Sequence, residues 1–310
     1  MSEQVTQQPQ QVADDEIDLR ELFSAIWQGK WIIIATTFVF AVLSVIYAIN
    51  LPNIYRSEAL LAPVVEDSSM RLPGQLGGLA ALAGVNLRGG GNDKTTLAIE
   101  VLKSREFIGR FIEKYDLFVP VMAAEGWNRS SDKLLINSNR YNEETGEWVR
   151  KVKPPFTPKP SVQEVYRRFM KLVSVSQDKT NGMVKLSVNH YSPVLAKFWV
   201  DQLVKEVNED LRQRDLNQAQ RSITYLNEQI AQTNLADAKA MLYSLIEEQT
   251  KTLMLANVRS EYVFKTIDPA IVAERKAKPA RALICILGVM LGGMLSVIFV
   301  LVRYFSKKST

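Results

Sequence analysis

Cysteine and histidine are almost missing from this chain: Cys285 and His190 are the single members of their types. One cysteine cannot close an internal disulfide, and the stretch between the two long apolar runs has none. One histidine and one cysteine are too few for a nitrogen–sulfur zinc site, so no metal or cofactor is expected. His190 ends a strand-like run and reads as a satisfied structural histidine. Nucleotide and acyl-transfer signatures are missing too: no Gly-Lys-Ser/Thr phosphate loop and no Gly-x-Ser-x-Gly elbow occurs. Neighbouring carboxylates such as Glu143-Glu144 and Glu247-Glu248 would point in different directions on a helix. The net charge is a modest +5, and no basic cluster has interleaved aromatics, which argues against a nucleic-acid partner. These absences point to a scaffold and not to an enzyme.

What the chain does have is two long runs without a charged side chain, Trp31–Ile49 and Ala282–Val302. As helices each would reach about 29–32 Å, close to the hydrocarbon thickness of a bilayer. Only helices satisfy their backbone within such a run. Trp31 and Tyr47 suit the headgroup level. Thr36, Thr37 and Ser44 can bond back to the preceding turn. The first run is longer than a signal-peptide core, and no small-x-small site follows it, so it is expected to stay as an anchor. Two spans put both termini on one side. Arg20 and Lys30, with Arg303, Lys307 and Lys308, favour the cytoplasm for the tails; Arg275, Lys276, Lys278 and Arg281 argue the other way, but long loops translocate largely regardless of charge.

Met1–Asp15 is Gln-rich and reads as disordered. Asp18–Gln28 places Leu19, Leu22, Phe23 and Ile26 at helical spacing, an interfacial amphipathic helix. Ile54–Ala62 has strand character. The Gly-rich stretch Pro73–Gly91 reads as a mobile loop or as an ordered loop at a subunit contact. Asn92 or Asp93 can cap a helix running to about Tyr115, with Leu97, Val101, Ile108, Phe111 and Ile112 as its stripe. Residues 117–160 read as a loop-rich insertion. Its Trp127 and Trp148 are packing residues or, in the sharper reading, platforms for a sugar ring.

Ser161-x-x-Glu164 is a capping box for a helix carrying Val165 and Phe169. Val173–Gln177 and Val184–Asn189 flank Thr180-Asn181-Gly182, a hairpin signal. Ser192-Pro193 then opens the longest helix, Ser as cap and Pro in the first turn. No Gly or Pro occurs from Val194 to Glu261. Val200, Leu203, Val207 and Leu211 form one apolar stripe, and Ile223, Leu226 and Ile230 another. Between them Arg212–Arg221 is polar nearly all round. Arg212, Arg214, Asp215, Gln218 and Arg221 therefore face either solvent, neighbouring copies or a water-filled interior. Thr233-Asn234 reads as a bend, Ala236–Asn257 as a return helix, and Tyr262–Asp268 as a strand. In the second run Gly288-x-x-x-Gly292-Gly293 is a small-residue face that admits another helix, with Pro279 just before it.

The expected fold is an α+β membrane protein: two transmembrane helices flank an α/β base domain with a long projecting helical arm. Its divisions are a tail at 1–30, a first span at 31–49, a domain at 50–281, a second span at 282–302 and a tail at 303–310. Within the domain the base takes 54–191 and 258–270, and the arm 193–257.

An ordered set of features carries a resemblance. It begins with Asp15-Glu16-Ile17-Asp18-Leu19-Arg20-Glu21-Leu22, then Trp27, Lys30-Trp31, Pro52 and Tyr55. Ser192-Pro193 follows, then Tyr262-x-Phe264-x-x-Ile267-Asp268-Pro269-Ala270 and the glycine-bearing second run. Together they resemble the chain-length determinant (Wzz) family of bacterial polysaccharide co-polymerases. The resemblance implies an inner-membrane protein with its domain in the periplasm and both termini cytoplasmic. It implies ring-like homo-oligomers and non-catalytic control of O-antigen modal length, acting with the O-antigen polymerase; lipid-linked polysaccharide is a further candidate partner. Pro279, Gly288, Gly292 and Gly293 become candidates for the polymerase contact. Related co-polymerases carry a cytoplasmic tyrosine kinase; only Arg303–Thr310 follows the second run here, so none is expected. The family's several evenly spaced prolines before the second span are reduced here to Pro269 and Pro279. Two other readings are a periplasmic scaffold for polysaccharide export and an anchored hydrolase using carboxylates around Trp127–Trp148.

Overall fold

The computed structural model describes residues 19–64 and 90–308. The Gln-rich tail Met1–Asp15 and nearly all of the Gly-rich stretch lie outside them. The chain divides into two compact units, one made of the residues up to Leu51 with those from Pro279 onward, the other of Pro52–Lys278.

The first unit is helical: α1 (Leu19–Gln28), α2 (Lys30–Asn50) and α9 (Arg281–Lys308). Gly29 joins α1 to α2 without a loop, donating its N–H to Ala25 O at 3.0 Å and accepting from Ile33 N at 3.1 Å. Phe23 and Trp27 are exposed on α1 and stack at 6.2 Å, with Lys30 Nζ 4.7 Å from the Trp27 ring. The apolar residues of α2 and α9 are mostly exposed, and both helices are long and apolar enough to cross a membrane. As expected, the Thr36 hydroxyl bonds back to Ile32 O and Ser44 Oγ to Ala41 O. The buried Thr37 hydroxyl finds no partner among the described residues.

The second unit is built on a four-stranded antiparallel sheet of β1 (Tyr55–Pro63), β6 (Val173–Gln177), β7 (Val184–His190) and β8 (Phe264–Asp268), in the order β6-β7-β1-β8. Ser57, Ala59 and Leu61 on β1 oppose Val188, Leu186 and Val184 on β7, and all six are buried on the core face. The other face is polar: Glu58 pairs with Arg56 at 3.3 Å and Lys185 at 3.7 Å, and Arg56 Nη2 donates to Ser187 Oγ. Gly182, at φ +72°, turns the hairpin, while the Asp178 and Asn181 carboxyl and amide oxygens accept from Thr180 N and Met183 N. Strand pairing there runs to His190.

Helix α7 (Pro193–Gln232) lays its first half across the core face and buries Val200, Leu203, Val207 and Leu211, the stripe its spacing predicts. Ser192 Oγ accepts from Leu195 N as the cap. Beyond the sheet α7 packs against α8 (Ala236–Val258), separated from it by a bend at 233–235. The capping box at Ser161 and Glu164 opens α6 (Val162–Phe169), whose Val165 and Phe169 enter the core.

Two expectations are corrected. The single helix to Tyr115 is two, α3 (Gly90–Lys103) and α4 (Arg105–Lys114), and it starts at Gly90 rather than at a cap on Asn92 or Asp93. Ser104 takes an extended ψ of 147° and its hydroxyl accepts from Phe107 N, so it starts a new helix. The break resets the phase: Leu97 is exposed, and Ala98, Val101 and Leu102 are buried. The segment 117–160 is also more ordered than a loop. It holds α5 (Phe118–Met122) and two hairpins, β2 (Ala124–Asn128) with β3 (Lys133–Ile136) and β4 (Tyr141–Asn142) with β5 (Glu147–Trp148). Trp127 packs edge-on against Tyr55 at 5.5 Å and Trp148 against Tyr141 at 5.2 Å. Arg150 holds the end of this segment, forking onto Glu164 at 2.8 and 2.9 Å and donating to the Thr157 and Pro158 carbonyls.

β8 is an edge strand, and one side chain of α7 covers its start. Asn208 is 6% exposed; its Oδ1 accepts from Val263 N at 2.8 Å and Phe264 N at 2.9 Å, and its Nδ2 donates to Phe264 O at 3.1 Å. Removing that amide strands three buried backbone groups. Asn208→Ala is expected to lower unfolding stability by about 3 kcal/mol, read as a lower denaturation midpoint of the detergent-solubilised protein. Asn217→Ala, an exposed position on the same helix, should leave the midpoint in place.

Candidate functional site

The candidate residues fall into two groups, one in each unit. In the helical unit α2 and α9 run antiparallel, because Arg281 Nη2 donates to Leu51 O at 3.2 Å at one end while Val300 crowds Gly29 at the other. Both tails therefore leave the pair at the same end. Between these contacts the glycine face of α9 lies on α2. A Cβ added at Gly288 would stand 2.5 Å from Ser44 Cβ, and one at Gly292 2.6 Å from Phe40 Cβ. Gly293 is roomier, 3.9 Å from Thr37 Oγ1. The close approach that a small-residue face permits is thus made within the chain. Pro279 lies just before α9 and its carbonyl accepts from Arg281 N at 3.0 Å.

In the second unit the root of the arm is held by α4. Arg110 Nη2 reaches Asp210 at 2.5 Å and Lys114 Nζ reaches Glu206 at 2.7 Å. The Tyr115 hydroxyl lies 2.7 Å from Glu206 and 2.9 Å from Gln202, and its one proton serves one of them at a time. Burial first, and then the Glu206 carboxylate, push the Tyr115 hydroxyl up to about 12. Burial opposes ionisation of Glu206, but the bonds from Lys114 and Tyr115 outweigh it and hold that carboxyl below its usual value.

The predicted arm residues are then split by their contacts. Arg212 forks onto Glu209 one turn back at 2.7 and 2.8 Å. Arg214 Nε bonds Asp210 at 2.8 Å. Asp215 is spent inward, accepting from Tyr262 Oη at 2.5 Å and Lys94 Nζ at 3.2 Å. Gln218 and Arg221 are exposed and share a polar groove with Arg214 and Gln220. Spacing alone does not show that Asp215 is tied to Tyr262, two residues before β8. Ser44 and Phe40, four apart on α2, are the counterface that the glycine spacing alone does not name.

His190 is a structural residue. It is 3% exposed, Nε2 lies 3.1 Å from Pro120 O, and Nδ1 accepts from Ser192 N at 3.2 Å. That pattern fixes a neutral ring with its proton on Nε2. Burial pulls its pKa down to about 4. Among the described residues no three His, Cys, Asp or Glu side chains gather where a metal ion could sit.

A Wzz chain length determinant domain matches residues 15–115, and a G-rich domain described from a putative tyrosine kinase matches 216–305. The chain thus carries a Wzz chain length determinant domain in its first third. Between them the two matched segments take in α1 to α4 and then the second half of α7, α8, β8 and most of α9. The first of these two models describes chain length determinant proteins. A solved full-length bacterial polysaccharide co-polymerase is 16% identical, covering 94% of this chain and 99% of its own, with a TM-score of 0.40. A fragment of WzzB, a polysaccharide co-polymerase from Salmonella Typhimurium, is 12% identical over 73% and 100%, with a TM-score of 0.30. No curated protein matches the chain in sequence.

Two outcomes follow from this geometry. With Cys285→Ala as background, Thr37→Cys with Gly293→Cys should close a disulfide inside one chain, seen as a faster monomer band on a non-reducing gel. Adding Gly292→Leu should slow that closure by about tenfold, since overpacking costs roughly 1–3 kcal/mol; a disulfide-linked dimer instead would place the face against another copy. For His190 the unfolded ring binds its proton near pH 6.5 and the folded one only near 4, so stability falls as pH drops between these values. The loss should approach about 3 kcal/mol at the low end, and His190→Gln should flatten that limb of a denaturation-against-pH curve.

Proposed function

We propose that this chain is a non-catalytic, oligomeric regulator of O-antigen modal chain length, acting with the O-antigen polymerase. In this reading α2 and α9 cross the inner membrane, Pro52–Lys278 stands in the periplasm, and both termini are cytoplasmic. The observation that carries it is the arm. A pair of helices can bury one face each, and α7 and α8 spend theirs on each other. Tyr225, Leu235, Met241, Tyr243, Met254 and Val258 remain exposed, with Leu235 at 71% and Val258 at 84%. An apolar surface of that kind, rimmed by polar groups, marks an interface. Further copies of the chain are the proposed cover, and a closed ring is the arrangement that satisfies every copy alike. Arg214, Gln218 and Arg221 then line the interior or the contact between copies, while Arg212 stays tied to Glu209.

The polymerase contact is proposed for the sides of α9 that α2 leaves bare, with Pro279 at their entrance. Gly288 and Gly292 act on that contact indirectly, by setting how α2 and α9 pack.

Deleting the gene should change the ladder of O-antigen lengths on a gel, and an unchanged ladder would sink the proposal. Met241→Glu with Met254→Glu should shift the solubilised particle from a large assembly toward monomer in light scattering. The same variant should broaden the ladder while the Pro52–Lys278 unit keeps its melting transition.

A further inference from the structure

A second feature lies where the polypeptide enters and leaves the Pro52–Lys278 unit. Ile54 and Lys278 are joined there as an antiparallel bridge, with Ile54 N donating to Lys278 O at 3.0 Å. Beside that bridge is a cavity of about 240 Å³. Its walls include Ile54, Pro120, Leu172 and Tyr191, and its cations are Arg168, Lys171 and Lys278. No carboxylate is among the lining residues. Lys171 and Lys278 form no ion pair among the described residues. Arg168 spends Nε on Val121 O at 2.9 Å, which fixes its guanidinium at the cavity edge.

Three cations with no acid among them repel one another, and a multiply charged oxyanion relieves that repulsion. Arg supplies a planar fork and Lys a point charge, the usual pair of groups for a phosphate. The apolar walls suit the part of a ligand that is not charged. Lys278 also lies only three residues before α9, a reach of about 10 Å of extended chain at most.

We propose that this cavity binds a phosphate group, and that the phosphate is the headgroup of a membrane lipid. The phosphate contact stands on the cavity alone. The lipid source rests on the reading of α2 and α9 as membrane spans. Soluble phosphate esters share the chemistry, so the test separates the two sources.

The full-length protein in a neutral detergent is titrated with dioctanoyl phosphatidylglycerol, dioctanoyl phosphatidylcholine and inorganic pyrophosphate, and binding is read by native mass spectrometry and thermophoresis. The phosphatidylglycerol and pyrophosphate should both bind, the lipid at least tenfold more tightly, with phosphatidylcholine weaker than either. Lys171→Glu with Lys278→Glu should weaken both anions by tenfold or more. Lys185→Glu, on the polar face of the sheet, should change neither. Undiminished binding in the double variant, with its melting transition intact, would overturn the site. Equal binding of pyrophosphate and the anionic lipid would overturn the lipid source and leave the phosphate contact standing, whatever the fate of the chain-length reading.

Discussion

A helix of 40 residues with a core for only its first half has to find cover for the rest. That constraint organises the second unit. The first half of α7 is paid for by the sheet, by Trp199 and Phe169, and by the ion pairs from α4. The second half has α8 and little else. Because no Gly or Pro interrupts α7, the position of its far end is set by its root. Ser192, His190 and Asn208 are therefore more than local caps: any play at the root is multiplied along roughly 60 Å of helix.

The long, periodic elements were legible in the sequence because their signals were redundant. Ser192-Pro193, an apolar stripe and the lack of helix breakers all pointed to α7, and the capping box pointed to α6. The break at Ser104 was not legible. A stripe through Leu97, Val101, Ile108 and Ile112 fits one continuous helix as well as it fits chance, and the capping preference of one serine could not overrule it. The hairpins of 124–148 were hidden for another reason. Their strands are two to five residues long, and too short for alternation to show. Turn residues such as Asn142 and Gly146, the latter at φ +70°, were the available sign.

The candidate site was legible by type and not by partner. Spacing identifies Gly288 and Gly292 as a surface made for close contact, but period carries no information on which helix arrives. The chain brings its own, with Ser44 and Phe40 on the facing side. Likewise Asp215 reads as one more polar residue on the arm, and only the fold brings Tyr262 and Lys94 to it. Tertiary partners separated by dozens of residues leave no local trace.

The covering of β8 has a consequence for how copies can meet. An open sheet edge is a template on which another chain can add a strand. Here Asn208 occupies the N–H groups of Val263 and Phe264, and Glu261 accepts from Thr266 N at 2.9 Å. The backbone at this margin has few hydrogen bonds left to offer. A second chain is thus denied strand addition at this margin of the sheet, and side-chain fit is what remains there to decide how a neighbour could dock.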